Sequence, residues 1–270
     1  RYGNDTLVDS AYHDGLYCSI ENQVMGLAAE FIADKYEITR EEMDQFSLES
    51  HQKALAAIDA GKFKAEIVPV QVPVGKGKFT VVDTDEGPRR DTSREVLAKL
   101  KPAFKPDGRV TAGNAPGLND GATAMVVTTA DRARELGAPV LAELVAQAGV
   151  TDAPNGISWV PALAIRKALE RAGLGVDALD LLEINEAFTA MPLVSTKLLA
   201  DGDEARWLRL LERTNVNGGA VAIGHPVGAS GLRILMTMVY ELRRRGGGRG
   251  VAAICGGLTQ GEAALVRVGG

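Results

Sequence analysis

"NGGAVAIGHPVGASG", Asn217–Gly231, decides how the rest of the chain is read. Five glycines (Gly218, Gly219, Gly224, Gly228, Gly231) and small side chains surround one polar ring, His225, one of three histidines in 270 residues. Glycine lets a backbone approach a ligand closely and adopt positive φ. The residues that follow predict a helix over Ser230–Arg245, whose free N–H groups and partial positive charge face the loop. A histidine there can hydrogen-bond an anionic or acyl oxygen, or take a proton from a thiol. Taken alone, a structural ring in a tight turn is the plainer reading.

Two neighbours along the chain change that balance. "GVAAIC" (250–255) reads as an apolar strand ending in Cys255, followed at once by Gly256 and Gly257. A thiol at a strand end beside free backbone N–H groups suits acyl chemistry, although a lone cysteine there is more often an inert core residue. "LDLLEI" (179–184) is a second strand, and "NEAF" places Asn185 at its end. Loops at strand ends gather side chains into a crevice in α/β folds, and a helix-initiating turn is the alternative.

The second half continues in the same rhythm. A strand is expected over 140–148, a helix from near Pro161 to Gly173, and a strand over 180–184. A helix from about Pro192, the strand "TNVN" (214–217) and a terminal hairpin over 250–268 complete it. Alternating strands and helices predict a layered α/β fold. The first half differs. Residues 20–62 read as helical, with Thr39 and Glu42 forming a capping box and Gly61 closing the second helix. Prolines punctuate 66–82, predicting edge strands or extended loop. Residues 83–109 are charged and turn-rich, with one helical piece near Arg94–Leu100, and belong on the surface. Residues 110–130 read as a glycine-rich turn feeding an apolar strand.

"GLNDGATAMVV" (117–127) and "GLTQGEAALVR" (257–267) share glycine, leucine, glycine, alanine and valine in register. If each is the last hairpin strand of one half of a duplicated fold, the second half occupies about 139–270. The first half then begins before residue 1.

Composition narrows the function classes. Hydrophobic residues are 46% and charged residues 24%, ordinary for a globular chain. A net charge of −5 argues against a nucleic-acid partner. Two cysteines form neither a disulfide framework nor a CxxC motif, which fits a reducing, cytoplasmic setting. No apolar run reaches the roughly 18 residues of a membrane span.

"NEAF", "NVNGGAVAIGHPVGASG", "TAGNAPGLNDGA" and "CGG", in this arrangement, resemble the thiolase family, CoA-dependent acyltransferases that make or cleave 3-ketoacyl-CoA. "VMGLAAE", "SHQKALAAIDAGKFKAEIVPV" and "LKPAF" extend the resemblance over essentially the whole chain. It implies a thiolase-like layered α/β/α/β/α fold with an incomplete N-terminal half: a CoA-binding loop domain at 1–109, a remnant of the first core half at 110–138, and the second core half at 139–270. It implies that His225 and a water held by Asn185 stabilise the thioester oxyanion. Cys255 then serves as acid and base at the α-carbon, and the Gly257 N–H contributes to a second oxyanion hole. Leu16, Met25, Arg89, Ala112, Pro116, Leu118 and Phe188 align with positions that line CoA. Read as residues, Met25 is equally a core side chain and Arg89 a solvated one. No metal or permanent cofactor is implied. CoA and acyl-CoA thioesters are the substrates, and a homodimer or tetramer, or a complementary N-terminal chain, the expected assembly.

The departures are informative. Pro116 stands where the family often has serine, and Val24 where a histidine is common. "PNGISWVPA" (154–162) puts Asn155 and Trp159 near the acyl pocket, which leaves chain-length preference open. No C-x-S-G motif, the usual setting of the nucleophilic cysteine, occurs in the chain. Cys18, in "LYCSIEN", lacks the glycine turn and is a poor substitute. The expectation is a thiolase without most of its first half, inactive alone. The alternatives are a non-catalytic CoA-binding relative and a subunit completed by another chain.

Overall fold

The computed structural model describes residues 2–153, 159–257 and 259–269. The early part carries a two-stranded ribbon, β1 (Tyr17–Cys18) and β2 (Gln23–Val24), then helices α1 (Met25–Lys35) and α2 (Arg40–Asp59). The Thr39 hydroxyl accepts from the Glu42 N–H while the Glu42 carboxylate accepts from the Thr39 N–H, so the capping box forms as read. A hairpin follows, β3 (Val70–Gly75) with β4 (Lys78–Val82), every residue of it exposed. Two short helices, α3 (Arg94–Ala98) and α4 (Ala130–Glu135), complete this part.

The later part is built on one four-stranded sheet. Its strands are β5 (Glu143–Thr151), β6 (Leu181–Ile184), β7 (Gly248–Gly256) and β8 (Gln260–Val268), in the order β5-β8-β7-β6. The β6–β7 pair is parallel and the others antiparallel. Helices α5 (Val160–Ala172), α6 (Ala190–Leu199) and α7 (Glu204–Glu212) follow the first strands, then a single turn, α8 (Ala220–Ile223), and finally α9 (Ser230–Arg244). One face of the sheet packs Ala148, Ala253, Ala263 and Leu265 against α5 and α6, a core that α1 and α2 join through Ile32 and Met43. The other face packs Ala252, Val266 and Val268 against Ile234, Met238 and Leu242 of α9. The result is helices on both faces of a mixed sheet, with the C-terminal ends of parallel β6 and β7 side by side.

Two expected strands are absent. Residues 119–129 carry no strand, and Val126 and Val127 are 91% and 75% exposed. An apolar run becomes a strand only beside another strand that takes its N–H and C=O groups, and no described strand pairs with it. "TNVN" makes one bridge, Thr214 to Leu182, and stops because Asn215 sits at φ 48°, outside the extended region. Asn155 lies outside the described residues. No described helix is long and apolar enough to cross a membrane.

Candidate active site

The ends of β6 and β7 create the site. Ile184 pairs with Ala253, and the Asn185 N–H continues the ladder to the Ala253 carbonyl at 2.9 Å. Asn185 therefore stands beside the last residues of β7, where Cys255 lies. The His225 loop closes over this edge, with Gly231 at the start of α9 packed near Ile254. His225 Nε2 lies 3.4 Å from Asn185 Nδ2, bringing together two residues 40 apart in sequence.

The glycines have specific reasons. Gly218 has φ +78°, and a Cβ there would lie 2.5 Å from the Ser50 carbonyl oxygen of α2. Gly224 has φ +97°, and a Cβ would lie 2.4 Å from Asn119 Oδ1. Both sites combine a left-handed backbone with a close neighbour, so any other residue is strained twice.

A buried polar network fixes the strand end. The Asn215 side chain meets both backbone groups of Ile184, replacing the ladder that "TNVN" does not make. Its amide also donates to the Glu186 carboxylate, which accepts further from the Ser50 hydroxyl and the Val221 N–H. Glu186 of "NEAF" is thus a clamp between β6, α2 and α8. Across the site, the Asn114 side chain accepts from Thr111 N–H and donates to Asp44, while its carbonyl accepts from Thr189 N–H. The segment 117–123 runs along the histidine loop: His225 N–H donates to Gly117 O at 3.2 Å and Asn119 Oδ1 at 3.3 Å, and Thr123 donates to Ala229 O.

The electrostatics favour neutral groups. Burial, reinforced by the nearby Arg233 charge, holds the His225 imidazole down at about 4, so it is uncharged at neutral pH. Burial pushes the Cys255 thiol up to about 11, so it carries its proton and can donate it. Glu183, enclosed in β6 two residues before Asn185, is raised by burial to about 8. Among the described residues no cluster of three His, Cys, Asp or Glu side chains could hold a metal.

The remaining sequence-singled residues fall into separate groups. Leu118 bridges directly to His225. Leu16 O accepts the Met25 N–H, and the next residue, Gly26, lies against the Phe104 ring, which meets Phe188 edge-on at 6.0 Å. Phe188 thus packs against Phe104 of "LKPAF", close to the start of α1 at Met25. Pro116 is half-buried, and Ala112 is exposed. Arg89 stands elsewhere, exposed, its N–H donating to His51 Nδ1. The Gly257 backbone faces open space. The packing also picks out Ser230, Asn119 and Glu186, which sequence reading passed over. Of these only Ser230 left a signal: a hydroxyl at a helix start five residues after the histidine.

Comparison with known proteins agrees with this architecture. Residues 1–131 match the thiolase N-terminal domain and residues 138–268 the thiolase C-terminal domain. The acetyl-CoA acetyltransferase of Pseudomonas aeruginosa is 50% identical over 265 residues, covering 97% of this chain and 65% of that protein. A probable acetyl-CoA acetyltransferase of Mycolicibacterium smegmatis is 46% identical over 267 residues, covering 99% of this chain and 67% of that protein. The chain thus spans about two thirds of the length of these relatives. The crystal structure of the Bacillus anthracis acetyl-CoA acetyltransferase superposes with a TM-score of 0.91 at 41% identity, covering 99% of this chain and 66% of that one. Human mitochondrial 3-ketoacyl-CoA thiolase gives 0.88 at 38% identity, covering 99% and 65%. The fold is the thiolase fold, and the chain belongs to the thiolase family.

Proposed function

We propose that this chain carries the oxyanion-stabilising and proton-transfer groups of a thiolase-type acyl transfer between CoA thioesters. The observation that carries the reading is the approach of His225 Nε2 and Asn185 Nδ2 to 3.4 Å at the end of β6, next to the end of β7 that carries Cys255. In the condensation direction, a thiolate attacks the thioester carbonyl, whose oxygen becomes negative. His225 and a water held by Asn185 stabilise that oxygen. Collapse expels the CoA thiolate, which takes the Cys255 proton; the Cys255 thiolate so formed then removes an α-proton from the second thioester. The Gly257 N–H supports the second oxyanion. A thiol raised to about 11 suits the donor role first, because it is fully protonated until a leaving group needs its proton.

The attacking thiol comes from outside these 270 residues, since no C-x-S-G motif is present and Cys18 is buried in β1. Residues 1–109 act as the CoA-binding loop domain, 110–138 as a remnant of the first core half and 139–270 as the second. Leu16, Met25, Arg89, Ala112, Pro116, Leu118 and Phe188 line the pantetheine or nucleotide of CoA. CoA and acyl-CoA are substrates rather than resident cofactors, and the setting is cytoplasmic. A homo-oligomer, or completion by a further polypeptide, is favoured by β5, an edge strand exposing Leu144 and Val145.

The test uses an enzyme in which the attacking thiol is present together with this chain. Replacing His225 by alanine should lower kcat by about 10²–10³-fold, as for loss of other oxyanion-hole donors. A loss below about threefold would remove His225 from that role. This chain alone, incubated with acetyl-CoA, should show no acetyl adduct by intact mass; an adduct on Cys255 or Cys18 would overturn the assignment of the attacking thiol.

A further inference from the structure

Helix α2 carries two adjacent polar side chains that grip different parts of the molecule. The Ser50 hydroxyl accepts the Gly219 N–H at 3.0 Å and donates to the Glu186 carboxylate at 2.8 Å, which ties the helix to the histidine loop and to the end of β6. His51 holds another segment. Its Nδ1 accepts the backbone N–H of Arg89 at 3.1 Å. A backbone N–H can only donate, so this ring presents its Nδ1 lone pair and keeps its proton on Nε2. His51 is 6% exposed, and burial, reinforced by the Arg89 charge and opposed by Asp91, lowers its titration below the ordinary histidine value. The acceptor is therefore uncharged at neutral pH.

Gly87, Arg89 and Arg90 each tie the segment 87–90 to the body of the chain, and the three ties are not equal. Gly87 lies against the turn α8 that precedes the histidine loop, where a Cβ would stand 2.5 Å from the Ala222 carbonyl oxygen. That closeness locates the segment but supplies no bond. Arg90 pairs with Asp59 of α2, with both side chains more than half exposed, and such pairs contribute little. The Arg89 bond has a buried acceptor, which loses its partner outright if the segment lifts away. The Arg89 side chain is exposed. Its backbone is anchored while its guanidinium stands available to a ligand.

We propose that His51 is a positioning residue: by holding the Arg89 backbone it sets where the Arg89 guanidinium stands relative to the His225 loop, which Ser50 holds from the next position of the same helix. Consecutive Cα atoms are about 3.8 Å apart, so covalent geometry fixes the spacing of the two grips. An Arg89 segment ordered in advance costs CoA less on binding than one that must be ordered by it. This deepens the proposed function and rests on it for Arg89 lining CoA. The bond itself is a property of this chain and can be measured without any acyl transfer.

The test has a structural arm and a kinetic arm. In the 15N-labelled chain, NMR should show His51 protonated on Nε2 and a hydrogen-bond coupling from the Arg89 N–H to Nδ1. In His51→Ala the Arg89 amide should exchange about three- to tenfold faster, the equivalent of one modest hydrogen bond, while Gly219, held by Ser50, stays constant. A proton on His51 Nδ1, or an unaltered Arg89 exchange rate, would overturn the proposal. In an enzyme that combines this chain with the attacking thiol, His51→Ala should raise KM for CoA in the cleavage direction by about three- to tenfold, more than it lowers kcat. His51→Asn, whose Oδ1 stands where Nδ1 stood, should recover most of that loss although asparagine is the poorer helix former; a merely structural histidine would not be rescued. Arg89→Ala separates the two premises. If it raises KM and His51→Ala does not, positioning by His51 is overturned. If neither raises KM, Arg89 does not line CoA, and the proposal falls with that reading. Should His51→Ala fail to fold, the unaltered chain decides: a coupling from the Arg89 N–H to Nδ1 supports the proposal, and a proton bonded to Nδ1 sinks it.

Discussion

The segments 117–127 and 257–267 share a sequence pattern and meet opposite fates. The second, from Gln260 onward, is β8, paired on both sides by β5 and β7, with Leu265 and Ala263 fully enclosed. The first lies extended along the His225 loop with its valines in water and no strand beside it. Alternation of apolar side chains supplies the potential for a strand. Only a neighbouring backbone realises it, because the ladder satisfies the N–H and C=O groups that burial would otherwise orphan.

Placing a charge in each segment should break the comparison most visibly. Leu265→Asp puts a carboxylate into the sheet's interior face and should cost at least about 3–5 kcal/mol, the scale of large core disruptions. Val126→Asp, at a position 91% exposed, should stay within about 0.5 kcal/mol. Urea midpoints of the two variants test this directly. Equal losses would mean that 119–129 is packed in solution against something other than this chain's described residues.

The next effect is in acid–base behaviour. The acidic side chain of the unpaired segment, Asp120, is exposed, whereas the sheet encloses Glu183 in β6 and burial lifts its carboxyl to about 8. A carboxyl whose folded value lies above its unfolded value near 4.5 binds more protons when folded. It therefore destabilises the fold progressively as pH rises from about 4.5 to 8. Glu183→Gln should remove that slope and raise stability at pH 8 by several kcal/mol, at about 1.4 kcal/mol per pKa unit of the shift. A Glu183→Gln profile parallel to the parent's would show that the carboxyl is solvated in the native state.

Much of this architecture was legible beforehand where a local device states its own geometry. The Thr39–Glu42 box, the Gly173 terminus of α5 and the hairpin of β7 and β8 all formed as read. Asn185, His225 and Cys255 stand out in the sequence as a candidate site, and packing brings His225 Nε2 to 3.4 Å from Asn185 Nδ2. What escaped has a physical cause. The Asn215 side chain does the work of a strand, so "TNVN" looks like one while its backbone turns away. Helix α7 begins at Asp203, whose carboxylate accepts from Arg206 N–H, and buries only Trp207 and Leu210, a sparse stripe within a charged run. The apolar strand read within 110–130 rests on its side chains, and side chains cannot say whether a partner strand lies alongside.

The smallest effect concerns what the unpaired segment still contributes. Asn119 Oδ1 accepts the His225 N–H at 3.3 Å, and Gly117 O accepts the same N–H at 3.2 Å. Asn119 is exposed, so water competes for the bond, and its net worth is about 0.5–1 kcal/mol. Asn119→Ala removes one of two acceptors on a single donor and leaves the other. The urea midpoint should therefore barely move, while amide exchange at His225 accelerates by about two- to fivefold, the rate equivalent of that energy. Exchange at Leu265, inside β8, should not change. If Leu265 accelerates with His225, the segment belongs to the same cooperative unit as the sheet and the contrast between the two copies dissolves. If neither changes, Gly117 alone holds the loop and the asparagine is a bystander. The expected pattern, a local response at His225 alone, would make 117–123 a splint: chain that forms no strand yet restrains the histidine loop it lies against.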